Sequence, residues 1–243
     1  MAQKSDIVLI SGGNTGIGYE TINKLGLENP SYQILMGCRD LAKGEEAIAT
    51  LPAGISVSPI VLDVTMDTSI AECVDLISKN YGRLDVLINN AGWLGKGTTL
   101  REKYTSTLSV NTVSAACLTD ACLPLLKKSA HPRIVFVTSS LGSLSRTSQA
   151  YSNRPIPYRA SKAAMNMIGV CYARELEAEG FSINICDPGL NGTGLARQAG
   201  ASEEMIRSLP HPSGGAINIV RLATLKKGEE TGAFSCKEGP LPW

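Results

Sequence analysis

Six short runs of almost unbroken apolar residues recur along the chain, at Ile7–Ser11, Gln33–Gly37, Ser56–Leu62, Val86–Asn89, Ile134–Thr138 and Ser182–Cys186. Runs this short, apolar at successive and not alternate positions, suit strands buried on both faces. Between them lie stretches with helical spacing, near 17–28, 41–51, 67–80, 101–128, 158–179 and 213–225, and a weaker strand-like run, Gly232–Ser235, closes the series. Strand–helix alternation predicts one parallel sheet with right-handed crossovers and helices on both faces. The expected fold class is therefore α/β, doubly wound, with seven parallel strands in the order 3-2-1-4-5-6-7. No repeat, low-complexity tract or linker divides the chain, so 1–243 reads as one domain. The Pro/Gly-rich tract from Pro188 to Gly215 reads as a long functional loop.

Composition narrows the functional classes. With 43% apolar and 19% charged residues over 243 positions, the chain suits a soluble domain with a full core. A net charge of +1 gives no basic field for nucleic acid or an anionic membrane. No run of roughly 18 or more apolar residues offers a membrane span. The N-terminus reaches Ile7 without a signal-peptide core. Seven cysteines lack any Cys-x-x-Cys pair and sit mostly in apolar runs, which implies reduced buried thiols, no metal site and a cytoplasmic location.

After the first strand comes Ser11-Gly12-Gly13-Asn14-Thr15-Gly16-Ile17-Gly18, running into a helix. Glycines let backbone approach a pyrophosphate, and a helix N-terminus supplies free N–H groups and a favourable dipole. The same residues could be a Gly-rich turn with packing duties, but strand and helix flank them as phosphate binding requires. At the end of the second strand, an acidic residue would hold a ribose 2′-hydroxyl and favour NAD. Cys38 and Arg39 stand there instead. A guanidinium suits a 2′-phosphate, which favours NADP over NAD. Arg39 could alternatively pair with Asp40 or Glu45.

Tyr158-Arg159-Ala160-Ser161-Lys162 opens the longest helical pattern after the fifth strand. Residues four apart share a helix face, so Tyr158 and Lys162 lie together. A nearby ammonium favours the phenolate, and lowering a phenol by roughly three pKa units takes about 4 kcal/mol, within reach of one close cation. Alone, the pair could equally be a solvated helix face.

Together these motifs resemble the short-chain dehydrogenase/reductase family over essentially the whole length, within it the small carbonyl-reductase-like members. Ser11-Gly12 to Gly16-Ile17-Gly18 is similar to the family's cofactor loop, and Asp63-Val64 to its adenine-contacting pair. Asn89-Asn90-Ala91-Gly92 resembles the fourth-strand motif. Asn111, Ser139-Ser140, Tyr158 with Lys162, and Asp187-Pro188-Gly189 with Thr193 follow in the family's order. The resemblance implies a single Rossmann-type domain binding NADP through Gly12, Asn14, Thr15, Gly16, Ile17, Gly18, Arg39, Asp63, Val64, Asn90, Ala91, Gly92, Tyr158, Lys162, Pro188, Gly189 and Thr193. It also implies catalysis by four residues. Tyr158 would be general acid, Ser140 would donate to the carbonyl oxygen, Lys162 would bind the nicotinamide ribose and depress the Tyr158 pKa, and Asn111 would hold a water in a proton relay to Lys162. Ser139 competes with Ser140, and Asn111 could be a helix-interior Asn bonded to backbone. His131 and His211 read as loop residues beside prolines.

Two departures stand out. Ser140 and Tyr158 are farther apart than the family's usual spacing, and the extra residues fall in 141–157, with Arg146, Tyr151, Arg154, Pro155 and Pro157. This resembles a modest version of the insertion in monomeric carbonyl reductases, so monomer and homo-oligomer both remain open. Asn191 stands where the family more often has a small apolar residue. Substrate loops at about 141–157 and 189–211, with Trp93 and Leu94, should wall the pocket. Arg197 and Arg207 are either anchors for an acid or solvated. An apolar pocket favours a hydrophobic ketone, aldehyde or imine. The expected function is an NADP-dependent oxidoreductase reducing such a group. A non-redox use of the same pocket, as scaffold, cyclase or sensor, is the alternative, and the intact Asn111, Ser140, Tyr158 and Lys162 set weighs against it.

Overall fold

The computed structural model describes residues 5–149 and 156–243. Its strands are β1 (Ile7–Ser11), β2 (Gln33–Cys38), β3 (Val57–Val61), β4 (Val86–Asn89), β5 (Arg133–Val137), β6 (Ser182–Cys186), β7 (Phe234–Cys236) and β8 (Gly239–Pro240). They form one sheet in the order β3-β2-β1-β4-β5-β6-β7-β8, parallel throughout except for the last pair. The helices are α1 (Gly16–Glu28), α2 (Leu41–Ala49), α3 (Asp67–Tyr81), α4 (Leu100–Leu108), α5 (Ser114–Leu126), α6 (Leu144–Gln149), α7 (Ile156–Glu175), α8 (Gly194–Gln198), α9 (Glu203–Ser208) and α10 (Ser213–Ala223).

The central strands carry apolar residues on both faces because each face has its own core. Ile7, Leu9, Leu87, Ile134 and Phe136 meet the helical layer of α3, α5 and α7, while Val8, Ile10, Val86, Ile88 and Val135 meet α1 and α10. Each large side chain so buried contributes about 1.5–3 kcal/mol relative to exposure. The pairing Ile10↔Ile88 between β1 and β4, with Val137↔Cys186 between β5 and β6, aligns the carboxyl ends of these strands along one edge. That edge carries the site. The opposite edge is held by buried ion pairs: Asp85 takes the Ile7 N–H at 2.8 Å and the Arg83 guanidinium, and Arg133 pairs with Asp6.

Four expectations need correction. The sheet has an eighth, antiparallel strand, because Lys237-Glu238 turns the chain back so that Ser235 pairs Pro240 and Leu241 N–H reaches the Phe234 carbonyl at 2.8 Å. The seventh strand is Phe234–Cys236, shifted from Gly232–Ser235. The helix expected over 101–128 is broken by a π turn at Ser109–Val113. The tract from Pro188 to Gly215 contains α8 and α9 and is not structureless. Although Leu100–Leu126 has the length and hydropathy of a membrane span, its Leu118, Cys122, Leu125 and Leu126 belong to the core against the sheet. All seven cysteines are free, and Cys38, Cys73, Cys122 and Cys186 are buried.

Candidate active site

The loop between β1 and α1 is built for close approach. Gly16 has φ +56°, and a Cβ on Gly18 would stand 2.4 Å from the Gly12 carbonyl and 2.5 Å from Asn90 Nδ2, so neither position admits a side chain. Thr15 occupies the N-cap of α1 without its hydroxyl capping the helix, and no acidic residue sits in the first turn. The helix's first N–H groups and positive end are therefore uncompensated, a donor set that fits a pyrophosphate. Asn90 Nδ2 donates to the carbonyls of Ser11 (2.9 Å) and Gly12 (3.0 Å), which ties the end of β4 to this loop. The buried Ser11 hydroxyl accepts the N–H groups of Asn90 (3.0 Å) and Ala91 (3.1 Å). Ser11 was absent from the predicted site residues; its role appears only when the register of β1 against β4 is known.

Arg39 is exposed at the end of β2, with no hydrogen bond or ion pair among the described residues. The pairing with Asp40 does not form, because Asp40 caps α2 through the N–H groups of Ala42 and Lys43. Asp63 gives Oδ1 to the N–H (2.9 Å) and hydroxyl (2.7 Å) of Thr65 and keeps Oδ2 uncommitted among the described residues, while Val64 packs on the core beneath. Arg39, Asp63, Ala91 and Gly92 thus flank the glycine loop at successive strand ends, as a nucleotide lying across the sheet edge requires.

Helix α7 starts at Ile156 with Pro157 in its first turn, where a missing N–H costs nothing. Tyr158 and Lys162 are 7% and 3% exposed, and Lys162 Nζ lies 5.9 Å from the Tyr158 ring centre. Nζ donates to the Val137 carbonyl at 2.9 Å. Burial lowers the Lys162 pKa from 10.5 to about 8, partly opposed by the Asp187 carboxylate. Gly142 packs directly on α7, where a Cβ would stand 2.7 Å from the Lys162 carbonyl carbon, and this fixes the turn Ser140–Gly142 against the helix. The two serines are no longer equivalent. Both line the same cavity as Tyr158, but Ser139 Oγ accepts the Leu141 N–H at 3.2 Å, whereas Ser140 Oγ has no partner among the described residues.

Asn111 sits in the π turn, and its side chain is spent on protein. Oδ1 accepts the Trp93 N–H at 2.7 Å, while Nδ2 donates to the Trp93 carbonyl (2.8 Å) and to Ser161 Oγ (2.9 Å). The π turn widens the helix so that Asn111 and Thr112 both reach α7 at Ser161. Ser161, fully buried and donating to the Tyr158 carbonyl at 2.7 Å, was also missed. Nothing in its sequence position reveals that it faces the π turn at Ser109–Val113 rather than solvent.

These residues surround a cavity of about 290 Å³ bounded by Tyr158, Ser140 and Leu141 on one side, by Ile17, Gly189 and Thr193 on another, and by Leu94, Leu195 and Ala196. Asp187 is its one charged lining residue among those described, and no Lys or Arg lines it. Trp93 does not line it as expected; its ring carries the Lys96 ammonium at 5.5 Å. Arg197 is no anchor for an acid, since its guanidinium engages the Glu203 carboxylate at 2.6 and 3.0 Å at the surface. Arg207 is exposed, and His131 and His211 bond to Ser182 and Ser213 away from the cavity. Tyr151, Arg154 and Pro155 lie outside the described residues.

The family model for short chain dehydrogenases matches residues 6–204. A short-chain dehydrogenase/reductase of Stachybotrys chlorohalonatus is 35% identical over 98% of this chain and 94% of its own. One from Talaromyces stipitatus is 31% identical over 96% of each. Among solved structures, NADPH-bound carbonyl reductase from chicken fatty liver superposes with a TM-score of 0.82 at 26% identity, covering 99% of this chain and 100% of that one.

Proposed function

We propose a function from one premise: the chain belongs to the short-chain dehydrogenase/reductase family. It is an NADP-dependent reductase of a carbonyl on a hydrophobic small molecule. The observation that carries this reading is the convergence of the Tyr158 and Ser140 hydroxyls on one apolar cavity with Ile17, Gly189 and Thr193. The NADPH-bound state of the similar chicken carbonyl reductase supports the same choice of cofactor.

The chain's residues divide the work. The Gly12–Gly18 loop and the N-terminus of α1 hold the pyrophosphate, Arg39 the 2′-phosphate, and Asp63 and Val64 the adenine. Asn90, Ala91 and Gly92 line the adenosine side; Pro188, Gly189 and Thr193 hold the nicotinamide end; Lys162 binds its ribose. When bound, the reduced nicotinamide supplies a hydride. Tyr158 gives its proton to the carbonyl oxygen as negative charge builds there. Ser140 donates a hydrogen bond to that oxygen, worth about 2–4 kcal/mol in the transition state. Lys162, protonated below its pKa of about 8, supplies the positive charge beside Tyr158. Asn111 braces the wall behind Lys162, and any water relay falls to its main-chain carbonyl, because both side-chain groups are committed. Substrates with anionic groups are disfavoured, since no Lys or Arg among the described residues lines the cavity and Arg197 is paired with Glu203 at the surface.

The test is Tyr158→Phe, assayed by loss of reduced-nicotinamide absorbance with 9,10-phenanthrenequinone, a flat apolar dicarbonyl. The rate constant should fall by about 10²–10⁴ with NADPH affinity unchanged. Retained turnover overturns the role of Tyr158.

A further inference from the structure

We propose that Asn191 is a positioning residue for the nicotinamide end of the cofactor, an inference that rests on the function just given. The chain leaves β6 through Asp187-Pro188-Gly189, with Gly189 at φ +75°. This turn is held from two sides. Asp187 Oδ1 accepts the Gly189 N–H at 2.9 Å. Asn191 Nδ2 then donates to the carbonyls of both Pro188 (2.9 Å) and Gly189 (3.0 Å). One amide group thereby satisfies two consecutive carbonyls beside the cavity.

The brace has little freedom to slacken. Asn191 is 6% exposed, and a Cβ on Gly215 would stand 2.9 Å from its Nδ2, so the amide is wedged under the first turn of α10. Neither a shorter apolar side chain nor a carboxylate can supply the two donors. Two residues on, Thr193 faces the cavity, and its methyl group lies 3.4 Å from the Cβ position of Gly16. The orientation of peptides 188–190 therefore decides where Thr193 stands relative to the glycine loop, and Asn191 fixes that orientation. The adenosine end of the cofactor, held by Arg39 and Asp63 at other strand ends, does not depend on it.

The experiment titrates wild type and Asn191→Ala with two ligands, NADPH and 2′,5′-ADP, the latter lacking the nicotinamide half. Asn191→Ala should bind NADPH about tenfold more weakly, as expected for loss of one to two net hydrogen bonds. Its affinity for 2′,5′-ADP should equal that of wild type. Asn191→Asp keeps the shape and removes both donors; it carries the same expectation and serves if the alanine variant does not fold. Unchanged NADPH binding, or an equal loss for both ligands, overturns the positioning role while leaving the proposed function standing. Failure of wild type to bind either ligand overturns the proposed function itself, and this inference with it.

Discussion

Replacing Lys162 with methionine should make the unliganded protein more stable at neutral pH while removing its activity. In the folded chain, burial holds the Lys162 pKa at about 8, against 10.5 without that environment. Charging the buried amine at pH 7 therefore costs about 3.5 kcal/mol, from roughly 2.5 units at about 1.4 kcal/mol each. Methionine of similar length removes that cost but loses the bond from Nζ to the Val137 carbonyl at 2.9 Å. A charged donor's bond contributes about 1.5–3 kcal/mol, so the net gain is about 1 kcal/mol, and the desolvation term wins by a narrow margin. The pH dependence is sharper. Between pH 8 and 10.5 the unfolded chain binds more protons at this site than the folded one, so wild-type stability rises with pH. Below pH 8 both states are protonated and the full cost applies. Denaturant unfolding of both proteins at pH 7 and near pH 10 measures this, and other titrating groups cancel in the difference. The gap between variant and wild type should shift in favour of wild type by about 2–3 kcal/mol across that range. A gap that does not move with pH refutes the reasoning.

Two further substitutions probe the cofactor cradle. Ser11→Ala leaves the N–H groups of Asn90 and Ala91 without their acceptor. As both residues are only half-buried, the loss should be about 2–3 kcal/mol, lowering the melting temperature by about 4–12 °C, whereas Ser11→Thr keeps the hydroxyl and the stability. Equal melting temperatures for alanine and wild type rule out the stitching role of this hydroxyl. Arg39→Ala should weaken NADPH binding by about 10–100-fold and leave NADH binding unchanged, as measured by fluorescence titration; equal effects on both nucleotides refute a 2′-phosphate contact.

What was legible in the sequence is whatever depends on local pattern. Apolar runs with no alternation declared strands buried on both faces, and Gly12 to Gly18 between strand and helix declared a close-approach turn. Tyr158 and Lys162 declared one helix face by spacing alone. These are periodicities of the backbone, and a chain cannot hide them. The two-residue strand Gly239–Pro240 was invisible, because a strand so short is defined by its partner and not by its own composition.

The site's finer assignments came from tertiary structure for a related reason. Ser139 and Ser140 are chemically identical and both line the cavity, but the Leu141 N–H engages the oxygen of the first, while the second has no partner among the described residues. Arg197 and Arg39 are both arginines beside a loop; a carboxylate within reach occupies one, and Asp40's duty at a helix terminus leaves the other available. Asn111, Ser161, Ser11 and Asn191 took their roles from groups dozens of residues distant or from the fold of a turn. Hydrogen bonds saturate, so a polar side chain's function is set by which of its partners arrive. The sequence determined which residues could do chemistry at this sheet edge, and the packing of strands and helices decided which of them remained free to do it.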